Sequence, residues 1–368
     1  MAKIISAGHI CLDITPVFAP GQGYERIADL LVPGKLLEVG PASVYAGGSV
    51  GNTGLALKKM GNDAVLLGKV GDDLLGATLQ RVLSSSGAGG LIVDKNSSTA
   101  YSVVLAVPGI DRIFLHNPGA NDTFAPEDIP EAALDGAALF HFGYPTLMKR
   151  MYGGGGAALA DMLNGVRSRG VPTSLDLTAV DPNTEAGRAD WPGILERALP
   201  HVDFFVPSFE ELCFMLDRPL YDRLFALGGD MTRHLSLAEH AVPLARKCLA
   251  MGCGTVLLKC GLSGMVLCAG GRQRLGEIRL LDADLWAERT IPQPCYRAER
   301  VCSAAGAGDA SIAAFLTAVT RGEAPELCVK LAAAEGAAAV SAYDTLGGLL
   351  SLDELKRRIQ AGWQTMEE

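Results

Sequence analysis

No G-x-x-x-x-G-K-[ST] run occurs in the 368 residues, which excludes the P-loop route to a nucleoside triphosphate. No two cysteines stand as C-x-x-C, and the six histidines are expected to form no ligand cluster with the nine cysteines, so a zinc site is not anticipated. That usage predicts buried free thiols in a reducing cytoplasm. Positive charge is scarce: 32 Lys and Arg against 41 Asp and Glu leave a net charge of −9, which speaks against a nucleic acid as the partner. No apolar run reaches membrane-spanning length, and Met1-Ala2-Lys3-Ile4-Ile5 lacks the long apolar core of a signal peptide, so no membrane partner is expected.

What is present is apolar material and glycine. Apolar residues make up 49%, enough for a substantial core, and Gly occurs 44 times. From Ala137 to Leu177 the pattern alternates strand, helix, strand, a rhythm that implies a parallel sheet with right-handed crossovers. Partial alternation in Leu36–Ala46, Thr99–Val107 and Arg112–His116 predicts a separate small sheet, with Pro108-Gly109-Ile110-Asp111 as a hairpin turn.

The most informative stretch is Cys302 to Val319, where small residues lead through Gly306, Ala307 and Gly308 to Asp309 and then to apolar residues at helical spacing. A loop delivered to a helix N-terminus presents unpaired N–H groups and the positive end of the helix dipole, so residues 306–308 would frame an anion pocket. Asp309 would repel a phosphate there unless it served as a general base; an Asp is also a common plain helix cap. Far upstream lies a second Gly-rich stretch, Gly47-Gly48-Ser49-Val50-Gly51-Asn52, followed by Gly61, Gly68-Lys69-Val70-Gly71-Asp72-Asp73 and Gly76. Asp72 and Asp73 read as caps for a helix from Leu74.

Together these two regions resemble the signatures of the ribokinase-like carbohydrate kinases, in order and across nearly the whole chain. The resemblance implies one α/β domain over residues 1–368: a mostly parallel central sheet with helices on both faces, and an inserted β-sheet lid from segments near 11–46 and 96–122. It implies transfer of the ATP γ-phosphoryl group to a hydroxyl of a small sugar, or of a nucleoside, with Asp309 as base. A non-catalytic sensor of the same fold is the reading from a different class.

By the same resemblance, Asp13, Gly47, Gly48, Asn52 and Tyr144 would bind the acceptor. Ser208, Lys259, Gly261, Gly264 and Glu335 would lie along the nucleotide, with Glu335 near the adenine edge. Glu211 matches the Glu of N-x-x-E, which orders water around Mg²⁺, although S-x-x-E at Ser208 and Glu211 also reads as a capping box. Where the family commonly shows D-T-T this chain has Ser303, Ala304 and Ala305, which puts activation by K⁺ in question. The resemblance also implies a homodimer through the lid.

Overall fold

The computed structural model describes residues 1–18, 27–107, 113–342 and 344–366. Short runs of β-branched and aromatic residues form the strands β1 (Lys3–Gly8), β2 (Cys11–Pro16), β3 (Ala42–Gly47), β4 (Asp63–Leu67), β5 (Lys69–Gly71), β6 (Ile92–Asp94) and β7 (Tyr101–Leu105). They continue as β8 (Ile113–Asn117), β9 (Leu139–Gly143), β10 (Thr173–Asp176), β11 (Phe204–Phe205), β12 (Thr255–Lys259), β13 (Met265–Ala269) and β14 (Thr290–Gln293).

Eight strands make the main sheet in the order β14-β13-β12-β11-β10-β9-β1-β4. Pairing is parallel from β4 to β12, and β13 and β14 are added antiparallel at one edge. Both faces of this sheet are covered, which is why its strands are apolar at successive positions rather than at alternate ones. Phe140, Phe142, Val256 and Leu258 enter one core layer, with the helices Ala157–Ser168 and Trp191–Ala198. Leu139, Phe204 and Leu257 enter the other, against the helices Ala307–Thr320 and Pro325–Ala339. The last two helices cross closely: an ideal Cβ on Gly336 would lie 2.5 Å from Ser311 Oγ. The layers are those of the mostly parallel α/β fold that the resemblance implies.

A separate four-stranded sheet runs β3-β2-β7-β8, with β2 and β7 parallel and both outer pairs antiparallel. The expected hairpin turn at Pro108–Asp111 lies outside the described residues. The run Ala64 to Val70 reads as a single strand from its apolar residues, but it breaks at Gly68, and β5 leaves the main sheet to pair with β6. In the Gly153–Gly156 run Gly154 and Gly155 take left-handed angles (φ 57° and 64°), and the regular helix starts only at Ala157. The helix Val242–Ala250 is preceded by a wide turn at Leu237–Ala241, next to Pro243, which has no N–H for the regular ladder. Elsewhere Asp73 caps the Leu74–Ser85 helix by accepting from Gly76 N–H at 2.8 Å.

Candidate active site

Parallel strands deliver their carboxyl ends to one rim of the sheet, where ligands of open α/β folds sit. Tyr144 follows directly on β9, β10 ends at Asp176 and β12 at Lys259, and the Ala307–Thr320 helix begins beside them. Gly306 makes that start possible. Its φ of 75° is left-handed, and an ideal Cβ there would meet Thr345 Cγ2 at 2.7 Å. The Ala307 N–H turns back to the Ala304 carbonyl at 3.3 Å, so the expected anion-binding role of this amide faces an internal competitor.

Asp309, on the first turn of this helix, is only 5% exposed. Its Oδ1 accepts from Thr53 Oγ1 at 2.8 Å, and its Oδ2 accepts from Tyr144 Oη at 2.8 Å and Asn52 Nδ2 at 3.1 Å. Three of about four lone-pair directions are filled, leaving room for one more donor. Burial raises its pKa above the ordinary carboxylate range, against the opposing pull of Thr53, Tyr144, Lys259 and Asn52. Tyr144 reaches it from strained backbone, with a left-handed φ of 64°. Its phenol is held well above its usual pKa by burial first and then by Asp309, so it remains a donor.

On one side of Asp309 opens a cavity of about 860 Å³. Ser208, Lys259, Gly261, Gly264, Ala307 and Gly308 all line it. Lys259 pairs with the buried Asp176 at 2.7 Å and also donates to the Val206 carbonyl. Its Nζ would stand 3.9 Å from a Cβ placed on Gly308, so a cation lies over the helix N-terminus. Burial pushes Asp176 well above the ordinary carboxylate range, with Lys259 opposing. Glu211 closes a complete capping box with Ser208: the Ser208 N–H donates to Glu211 Oε2 at 2.8 Å, and the Glu211 N–H to Ser208 Oγ at 3.4 Å.

Asn52 and Tyr144 approach from the other side, toward the small sheet. The Tyr144 and His9 rings are 6.2 Å apart between centroids. Gly48 lies against His9, since an added Cβ would come within 2.6 Å of His9 Nδ1, and Gly47 lies as tightly against the Asp13 carboxylate. Asn52 Oδ1 is buried with no hydrogen-bond partner among the described residues. An unpaired acceptor of this kind is a place for a ligand hydroxyl.

The family model for pfkB family carbohydrate kinases matches residues 19–350. The chain belongs to that family. The pfkB chain is 28% identical to fructokinase-1 of Zea mays over 149 residues, 39% of this chain and 42% of the relative. It thus spans well under half the length of that relative. It is 27% identical to the ATP-dependent ribose-1-phosphate kinase of Halopiger xanaduensis over 248 residues, 65% of this chain and 71% of the relative. Among solved structures, Arabidopsis thaliana ribokinase complexed with ribose and ATP superposes with a TM-score of 0.69 at 21% identity, covering 97% of this chain and 98% of that one. Fructokinase with bound ATP from Xylella fastidiosa gives 0.70 at 19% identity, covering 98% and 99%.

Within this pfkB chain, Glu335 is not where the resemblance implied. The cavity touches Ala333, Gly336 and Ala337, while Glu335 points away and accepts from the Leu350 N–H at 3.1 Å. Helical periodicity explains this, because only one stripe of the Pro325–Ala339 helix faces the cavity. Burial raises the Glu335 pKa to about 8. The expectation that histidine and cysteine would not cluster also fails: His9, Cys11 and His116 bring ligand atoms within 4.8 Å of one another. Thr53, one position past Asn52, joins the site without a motif to mark it, and so does Asp176, which in sequence reads equally as a ligand contact or a loop cap. The signal for Asp176 was a carboxylate at a strand's C-terminal end.

Proposed function

We propose that this chain transfers the γ-phosphoryl group of ATP to a hydroxyl of a small sugar. The observation that carries this reading is Asp309 itself, a buried carboxylate held by Asn52 and Tyr144 on the first turn of the helix whose residues Ala307 and Gly308 line the 860 Å³ cavity.

Asp13 and the free Oδ1 of Asn52 would grip acceptor hydroxyls, and Asp309 would take the proton of the attacking one. Residues 306–308 and the Lys259 ammonium would face the phosphoryl oxygens and stabilise charge growing there. A Mg²⁺ ion bound with the nucleotide would supply neutralising charge on the phosphates. The donor set suits such a hard cation: Asp176 offers a carboxylate 2.7 Å from Lys259 Nζ, and the Glu211 carboxylate is within electrostatic reach of both Asp176 and Tyr144. The thinned polar run at Ser303, Ala304 and Ala305 supports a kinase without K⁺ activation.

Sugar is favoured over nucleoside because the acceptor side offers carboxylate, amide and imidazole groups at close quarters. A homodimer through the small sheet is part of the same proposal; Val44, Tyr45, Phe114 and Leu115 are exposed on it. All nine cysteines are free, which fits a cytoplasmic setting. No helix among the described residues is long and apolar enough to cross a membrane.

ADP release measured with MgATP against a panel of sugars and nucleosides tests the reading. A sugar-dependent rate that falls about 10²- to 10⁴-fold in Asp309→Ala supports it. Absence of ADP release with every acceptor favours a sensor, and an unchanged rate in Asp309→Ala removes the base.

A further inference from the structure

Pairing register in the small sheet sets Asp13 opposite Ser102 and Ser102 opposite His116, so these three form one row across β2, β7 and β8. Cys11, two residues before Asp13 on β2, projects from the same face. That face meets His9, at the end of β1. The contacts are close: His9 Nε2 lies 3.3 Å from His116 Nε2, and Cys11 Sγ lies 3.2 Å from Asp13 Oδ1. Ser102 Oγ sits 3.1 Å from His116 Nδ1.

We propose that His9, Cys11 and His116, with the Asp13 carboxylate beside them, form a binding site for a borderline-soft divalent cation of the zinc class. Imidazole and thiolate are the donors zinc prefers. Bonds of about 2.0–2.1 Å from two nitrogens at a tetrahedral angle put those nitrogens about 3.3–3.4 Å apart, the separation the two imidazoles already have. Ser102 fixes the His116 ring from its far nitrogen, the usual support for a metal-ligating imidazole. His9 is 2% exposed, so burial holds its Nε2 facing His116.

Metal entry forms two N–metal bonds and one S–metal bond and releases the Cys11 proton to solvent. Asp13 or a water completes four-coordination. Because Asp13 is also the residue assigned to grip the acceptor, an occupied site would block sugar entry. This consequence rests on the proposed function; the metal site itself does not.

The test is a titration of the full chain, freed of metal by a chelator, with Co²⁺ as a spectroscopic probe. One equivalent is expected to bring up an ultraviolet thiolate-to-cobalt charge-transfer band and intense visible bands of tetrahedral coordination, both removed by Zn²⁺. Cys11→Ser should abolish the charge-transfer band, and His116→Ala, at an exposed position, should weaken binding by at least about tenfold. Circular dichroism of both variants checks the fold. No charge-transfer band, or one that survives in Cys11→Ser, overturns the site. Inhibition of sugar-dependent ADP release by Zn²⁺ should be relieved by raising the sugar concentration. Inhibition independent of sugar, with the cobalt spectrum intact, overturns the sharing of Asp13 and leaves the metal site standing.

Discussion

Tyr144 Oη stands 2.8 Å from Asp309 Oδ2, a hydrogen bond between residues 165 positions apart that ties the end of β9 to the first turn of the Ala307–Thr320 helix. The donor favours the charged carboxylate, while burial opposes it. Tyr144→Phe removes the donor and leaves the burial, so the Asp309 pKa should rise. The acidic limb of the kcat/KM profile is then expected to move to higher pH. A limb that stays where it is in the wild type would show that Tyr144 does not tune this group.

The Lys259–Asp176 pair calls for separate bookkeeping of stability and activity. Breaking a buried pair from one side leaves a charge without compensation and typically costs about 3–5 kcal/mol. Lys259→Met should lower the urea midpoint by a corresponding amount, and adding Asp176→Asn should restore much of it. Turnover should stay low in both, since neither returns a cation to the helix N-terminus.

At Gly306 a Cβ is opposed twice, by the left-handed φ of 75° and by Thr345. Gly306→Ala is expected to cost about 1–2 kcal/mol from backbone conformation alone, before the clash is relieved. Relief requires moving the 306–309 turn. Urea denaturation should show the loss, and the KM for ATP should rise with it.

Glu335 predicts a pH dependence of stability rather than of catalysis. Its folded pKa, about 8, lies above the ordinary 4.5, so burial favours the protonated form. Its contribution is therefore complete below about pH 4.5 and lost as the pH rises through about 8, at about 1.4 kcal/mol per unit of displacement. Gln keeps an oxygen for the Leu350 N–H and cannot ionise. Melting temperatures between pH 5 and 9 should fall less steeply in Glu335→Gln than in the wild type.

The fold was legible because its signals are local: apolar strands, helix-spaced apolar residues and glycine turns each act within a few positions. Asp309, Lys259 and Asn52 were legible for a related reason, as each stands where a strand meets a helix or a helix begins. Glu335 was misplaced because a residue's side of a helix depends on a rotation of 100° per position, which a motif match does not fix. His9, Cys11 and His116 were missed because only strand register brings residue 116 to residue 9, and register depends on long-range pairing. The break at Gly68 is illegible for the same reason, since β5 finds its partner in a strand more than twenty residues later.

Residues 309–319 of the Ala307–Thr320 helix are buried without interruption, whereas β8 exposes its three central residues. On the proposed function the base would therefore be stationary, held within the buried helix, and any approach between alcohol and base would be travel by the thin four-stranded ribbon, a local excursion that would leave Asp309 undisturbed.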